Sequence, residues 1–132
     1  YEGVIREAGA RTTTPAGYQM GTMWTTSDQA EFASGLRCVA GQEPVLDMMG
    51  RIVDYQHWGL GRIGGARFKG GWNHYEGGHL ARQFGLIPGP NGDIAVAITA
   101  HSPKGHEGSF AMLNELADGL NAMRGDLPTS RC

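Results

Sequence analysis

The stretch from Ala66 to Ser102, ARFKGGWNHYEGGHLARQFGLIPGPNGDIAVAITAHS, decides the fold. GHLARQFGLI and GDIAVAITAHS are strand-like and flank PGPNGD, in which Asn91-Gly92 is a strong hairpin signal. Ahead of them, QHWGLG and ARFKGGW are too short and too rich in glycine for helices. The expectation is three antiparallel strands, near 58–61 joined to 66–72, then 78–87 and 93–101. Ile94, Val96 and Ile98 alternate with Ala95, Ala97 and Thr99, so one face takes large residues. The small face is expected to receive a helix. One oddity stands inside the first strand, where charged Lys69 is followed by Gly70, Gly71 and the large Trp72. A glycine in a strand interior marks a bulge, a bend or the close approach of another backbone or a ligand.

After the strands, GSFAMLNELADGLNAM places Phe110, Leu113, Leu116, Ala117 and Leu120 on one stripe, a helix expected near 109–123 with Gly108 or Ser109 at its start. On the other side the period is helical. YEGVIREAG puts Tyr1, Val4, Ile5 and Ala8 on one face and stops at Gly9. TTSDQAEFASGL offers Thr26 as N-cap, Ser27 and Asp28 as residues of the helix start, and Phe32, Ala33 and Leu36 as apolar face. EPVLDMMGRI carries Pro44 in its first turn and is expected to bury Val45, Leu46, Met48, Met49 and Ile52. Between the first two helices, Arg11 to Trp24 has neither period and reads as a loop. The fold class is α/β in the broad sense, more narrowly α+β: helices, a three-stranded antiparallel sheet, then a C-terminal helix. Residues 1–55 are expected to form part of a helical subdomain, and 56–132 the sheet with its closing helix.

The chain of 132 residues is long enough to bury a core, and its formal charge of -2 gives no reason to expect nucleic acid or an anionic membrane as partner. No run of residues has the length and apolarity of a membrane span. The 22 glycines form no repeat and serve turns and bulges. The two cysteines, Cys38 and Cys132, are too far apart for a C-x-x-C zinc site. They pair with each other, the simplest arrangement, or with a cysteine elsewhere, and either implies an oxidising compartment.

Gly59-Leu60-Gly61-Arg62-Ile63-Gly64 spells G-x-G-x-x-G, but a strand pattern follows where a dinucleotide site needs a helix, so these read as turn glycines. His74, Glu76 and His79 are of metal-ligating type but lack a known ligand spacing, and solvated turn residues are the better reading. His57, His101 and His106 have no evident partner. No metal and no cofactor is implied.

Lys69-Gly70-Gly71 on a strand, followed by two antiparallel strands and a C-terminal helix, resembles the K-T-G strand of the penicillin-recognising serine hydrolases, the class A β-lactamase and penicillin-binding-protein superfamily. The resemblance extends from Val4 to Leu120, and the chain looks like the second half of the β-lactamase-like serine hydrolases common among secreted actinobacterial proteins. It implies that Lys69, Gly70, Gly71 and Trp72 border an active-site cleft. Lys69 would supply positive charge, and the Trp72 backbone N–H one oxyanion-hole donor. It also implies a secreted or cell-envelope location and a small-molecule or peptide-like substrate.

The pattern departs from the family in three places. No S-x-x-K is present, since Ser27, Ser34, Ser102 and Ser109 are followed three residues on by Ala30, Arg37, Gly105 and Met112. Gly70 stands where a hydroxyl would bind a substrate carboxylate, and the Arg11–Trp24 loop holds no Asp or Glu to deacylate an acyl-enzyme. The expectation is therefore a C-terminal half, inactive alone, whose partner is a nucleophile-bearing N-terminal half or a second copy of the chain. The alternative is a cell-envelope binding protein that kept the fold and lost the chemistry.

Overall fold

The computed structural model describes residues 2–14, 16 and 22–132. The chain is α+β, with four α-helices and one three-stranded antiparallel sheet of order β1-β2-β3 among the described residues. In chain order these are α1 (Glu2–Glu7), α2 (Thr26–Leu36), α3 (Glu43–Met49), β1 (Arg67–Tyr75), β2 (Gly78–Gly89), β3 (Gly92–Ser102) and α4 (Gly105–Met123).

Two tight turns set the sheet. Between β1 and β2 only Glu76 and Gly77 intervene, with φ of 44° and 75°, so both central residues are left-handed as a twisted two-residue hairpin requires. β1 therefore runs on to Tyr75, three residues beyond the expected end at 72. Between β2 and β3 the loop is Pro90-Asn91, and Gly92, with φ of 134°, begins β3. The expected strand at 58–61 is instead a 3-10 turn, Gly59–Arg62. Gly59 is left-handed there, and its N–H and that of Leu60 donate to the side-chain oxygens of Asn114 and buried Gln83. Side chains from β2 and α4 thus take donors that a strand would have given to a neighbour.

Helices cover both faces of the sheet. Ile94, Val96 and Ile98 pack with Phe68, Ile87, Leu60 and the fully buried Leu113 and Ala117 of α4. α4 thus lies on the large-residue face, whereas the small residues of β3 had pointed to the last helix packing on theirs; the large residues bury the most apolar area against it. α2 takes the other face, where Leu36 and Phe32 meet Leu86, Phe84 and Ala95, together with Leu46 and Met49 of α3. α4 also starts four residues before the expected Ser109, since Gly105 with φ of 82° turns the chain into the helix. Leu116, expected on its buried stripe, is exposed.

The leading helices bury less than their patterns suggested. Only Leu46 and Met49 of α3 are buried, while Val45 and Met48 face solvent, because a seven-residue helix offers one narrow stripe. α1 buries Ile5 but leaves Val4 exposed, and buried Ala8 follows it before left-handed Gly9 turns the chain; Tyr1, expected on the apolar face, lies outside the described residues. The N-cap of α2 is Thr25 rather than Thr26, its hydroxyl accepting from the Asp28 N–H at 3.1 Å. Asp28 is buried and turned away from the cap, accepting from the Thr13 hydroxyl at 2.5 Å and the Thr12 N–H at 3.1 Å. Those hydrogen bonds, the Thr13 hydroxyl first, hold its carboxyl below the usual carboxylate range. Cys38 and Cys132 form a disulfide with a Cα–Cα distance of 5.5 Å.

Candidate functional site

β1 has β2 on one side and, among the described residues, no strand on the other. Alternation sends Lys69, Gly71 and Asn73 to the α2 face and Phe68, Gly70, Trp72 and His74 to the α4 face. The two glycines that interrupt the strand therefore do different things. A Cβ on Gly70 would lie 2.7 Å from the Trp58 ring and 3.3 Å from Gln83. Trp58 in turn stacks on Phe110 at 4.2 Å and meets Trp72 edge-on at 5.7 Å. Gly70 is small because an indole lies on the strand there. Gly71 has nothing within 4 Å of the position a Cβ would take.

Gly71 opens onto a groove of about 950 Å³ between the β1 edge and α2. Its floor is Leu80, Arg82 and Phe84 of β2, and its far wall is Trp24, Thr26 and Phe32. Trp24, Phe32 and Phe84 form a ring triplet with centroids 5.2–5.6 Å apart, which fixes the wall. Lys69 is exposed at the rim and donates to Gln56 Oε1 at 3.2 Å and to the Gly70 carbonyl at 2.7 Å. Arg82 sits opposite Gly71 in the register and reaches the Trp24 carbonyl at 3.1 Å. No carboxylate is among the described lining residues, so the groove carries positive charge on mainly apolar walls. That combination suits a ligand with an apolar body and an anionic or acyl group.

The four residues expected at a cleft thus share one strand, Lys69 and Gly71 on the groove side, Gly70 and Trp72 behind them, and all four touch the groove. The nearby threonines Thr22 and Thr26 belong to a loop and a helix start that carried no functional signal in the sequence. Residues 15 and 17–21 of the Arg11–Trp24 loop lie outside the described residues. None of the hydrogen-bond partners of Lys69 is a serine. Ser109 donates to the His79 carbonyl, and Ser34 and Ser130 bond each other at 2.5 Å.

The glycine run at 59–64 docks on α4, with Arg62 bidentate to Asp118 at 2.9 Å on both oxygens, which raises the guanidinium and lowers the carboxyl. It forms a packed turn. Of the histidines, His57 meets the Ile52 carbonyl at 2.6 Å and His101 the Tyr75 carbonyl at 2.7 Å. His74 and His79 face each other across the β1–β2 pair, and His106 of α4 joins them. The three can place ring nitrogens all within 4.8 Å of one another. Glu76 is held in the turn and is not part of the group. The expectation of solvated turn residues fails for His79, whose Nδ1 is buried with no hydrogen-bond partner, as is Nδ1 of His106. Burial, then the neighbouring His79 and His74, holds His106 below its ordinary value.

No family model, no curated protein and no solved structure matches this chain. The functional reading therefore rests on the groove and strand themselves.

Proposed function

We propose that this chain supplies the lysine strand of a β-lactamase-like serine hydrolase, acting in acyl transfer or hydrolysis of amide or ester substrates when a segment bearing the S-x-x-K nucleophile completes the site. The observation that carries the reading is the placement of Lys69 and Gly71 on a strand that is an edge among the described residues, above a groove with no carboxylate among its described lining residues. An extended acyl substrate can lie along such an edge as an added strand, with Gly71 giving its backbone room and the Trp72 N–H serving as an oxyanion donor. Gly70 cannot supply the family's hydroxyl, and a side chain there would meet Trp58. Arg82, opposite Gly71, is the group placed to attract a substrate carboxylate in its stead. The Cys38–Cys132 disulfide supports a secreted or cell-envelope location.

A second reading, a binding protein of the same fold without chemistry, is favoured by one observation: the Lys69 ammonium is already engaged by the Gln56 side chain and the Gly70 carbonyl. Labelling of the complete protein with a fluorophosphonate or a fluorescent penicillin separates the two. The hydrolase reading expects labelling that Lys69→Met abolishes while the fold survives, since an exposed lysine contributes within about 0.5 kcal/mol. Labelling retained in Lys69→Met, with a large fall in melting temperature, refutes the role of the lysine. Absent labelling, with carboxylate-bearing acyl peptides still quenching the Trp24 and Trp72 fluorescence, selects the binding protein.

A further inference from the structure

We propose that His74, His79 and His106 form a binding site for a divalent first-row transition-metal ion of the zinc class, joining the start of α4 to the β1–β2 hairpin. The site is built by three local features. The left-handed pair Glu76-Gly77 closes the hairpin in the register that sets His74 directly opposite His79. Gly105 turns the chain into α4 so that His106 falls in its first turn. The helix start is then seated closely: Gly108 lies against the Ser102 hydroxyl, where a Cβ would stand 2.4 Å away, and Ser109 donates to the carbonyl of His79.

The rings that result lie 4.5, 4.6 and 5.5 Å apart between centroids. A tetrahedral ion with nitrogen ligands at about 2.0–2.1 Å needs those nitrogens roughly 3.3 Å apart. From the present spacing, within 4.8 Å, ring rotations must draw the nitrogens together, and exposed His74 is the ring with most room to turn. A further observation points to a ligand rather than to ring packing alone. Nδ1 of His79 and Nδ1 of His106 are both buried without a partner, a cost that a structure normally avoids by adding water or an ion. A metal ion satisfies lone pairs from all three rings together.

The donor set selects the ion. Imidazole suits zinc, copper, nickel and cobalt, whereas calcium and magnesium require oxygen ligands. Three protein ligands leave a coordination position for water or an exogenous group. Phe110 stacks beside His106 at 6.0 Å and gives the site one apolar wall. His74 also lines the rim of the groove, but the metal site depends on no part of the hydrolase reading.

Isothermal titration of the untagged, chelator-stripped chain with zinc and cobalt tests the proposal. One ion per chain should bind, with the visible absorption of tetrahedral cobalt, and magnesium should not compete. His106→Ala and His74→Ala should each weaken binding by about 100-fold or more, since even outer-shell changes cost 10–100-fold. His57→Gln should leave it unchanged. Should His106→Ala unfold, as circular dichroism would show, exposed His74→Ala carries the same test. Zinc affinity equal in wild type and His74→Ala, equal loss in His57→Gln, or equal competition by magnesium overturns the site.

Discussion

The two faces of the sheet are closed by different means. On the α4 side, Leu113 and Ala117 are fully buried against Ile94, Val96, Ile98 and Phe68, and an apolar core holds helix to sheet. On the α2 side the buried cluster is smaller, Leu36, Leu46, Met49 and Leu86, with Phe32, Phe84 and Ala95 partly buried around it. Polar and covalent links complete the attachment there. Arg67 and Arg37 both pair with Asp93, Arg37 donates to the Ser130 carbonyl at 2.9 Å, and the Ser130 N–H donates to the Asp93 carbonyl at 2.7 Å. The disulfide then ties Cys38, just past α2, to the last residue. A layer held at one end by a crosslink can leave its other end open, and the groove occupies that open end. The α4 layer has no such freedom, because its stability comes from contact along its length.

The largest effect expected from this difference is at the disulfide. It spans a sequence separation of 94, for which loop-closure entropy gives about 4.7 kcal/mol. Cys38→Ser with Cys132→Ser should lower unfolding stability by that order in denaturant titration, and hydrogen exchange should speed in α2 and α3 before α4. Equal loss of protection in α4 would mean that the crosslink holds both layers alike. Next comes Leu113→Ala, which removes a fully buried side chain from the α4 core and should cost about 3 kcal/mol, with exchange rising first in α4. Gly70→Ala should cost about 1–3 kcal/mol, because its Cβ meets an indole that Phe110 holds from the far side. A melting temperature unchanged by Gly70→Ala would mean that Trp58 moves aside without loss.

β2 and β3 were legible because turn glycines and alternating apolar residues bound them, and Phe68 to Trp72 as strand followed from the same cues. What failed depends on contacts distant in sequence. The 58–61 segment looks extended until Gln83 and Asn114 claim its N–H groups. Which side of β3 receives α4 could not be read from alternation alone, because both faces take a helix. The histidine pair was within reach: a turn centred on Glu76-Gly77 places His74 opposite His79 in any two-residue hairpin. His106 was not, since it joins them only because α4 begins at Gly105 and docks against Ser102. The double glycine after Lys69 looked like one signal in sequence, yet it has two causes on opposite faces.

That last distinction sets the smallest expected effect on stability. Gly71 lies in β1 with open space where a Cβ would stand, and its φ is not left-handed, so alanine fits without strain. Alanine also loses less backbone freedom on folding than glycine does, so Gly71→Ala should shift stability by no more than about 0.5 kcal/mol, in the stabilising direction. Its consequence should appear instead in the groove, where the added methyl projects beside Arg82 and Lys69 along the path of an extended ligand. Thermal unfolding and peptide titration by tryptophan fluorescence, run on Gly70→Ala and Gly71→Ala side by side, read the two effects separately. The expected pattern is a lowered melting temperature for Gly70→Ala, and an unchanged one with weakened binding for Gly71→Ala. Unchanged binding in Gly71→Ala would mean that ligands do not approach β1 at this glycine, and the edge-strand reading of the groove would fall with it.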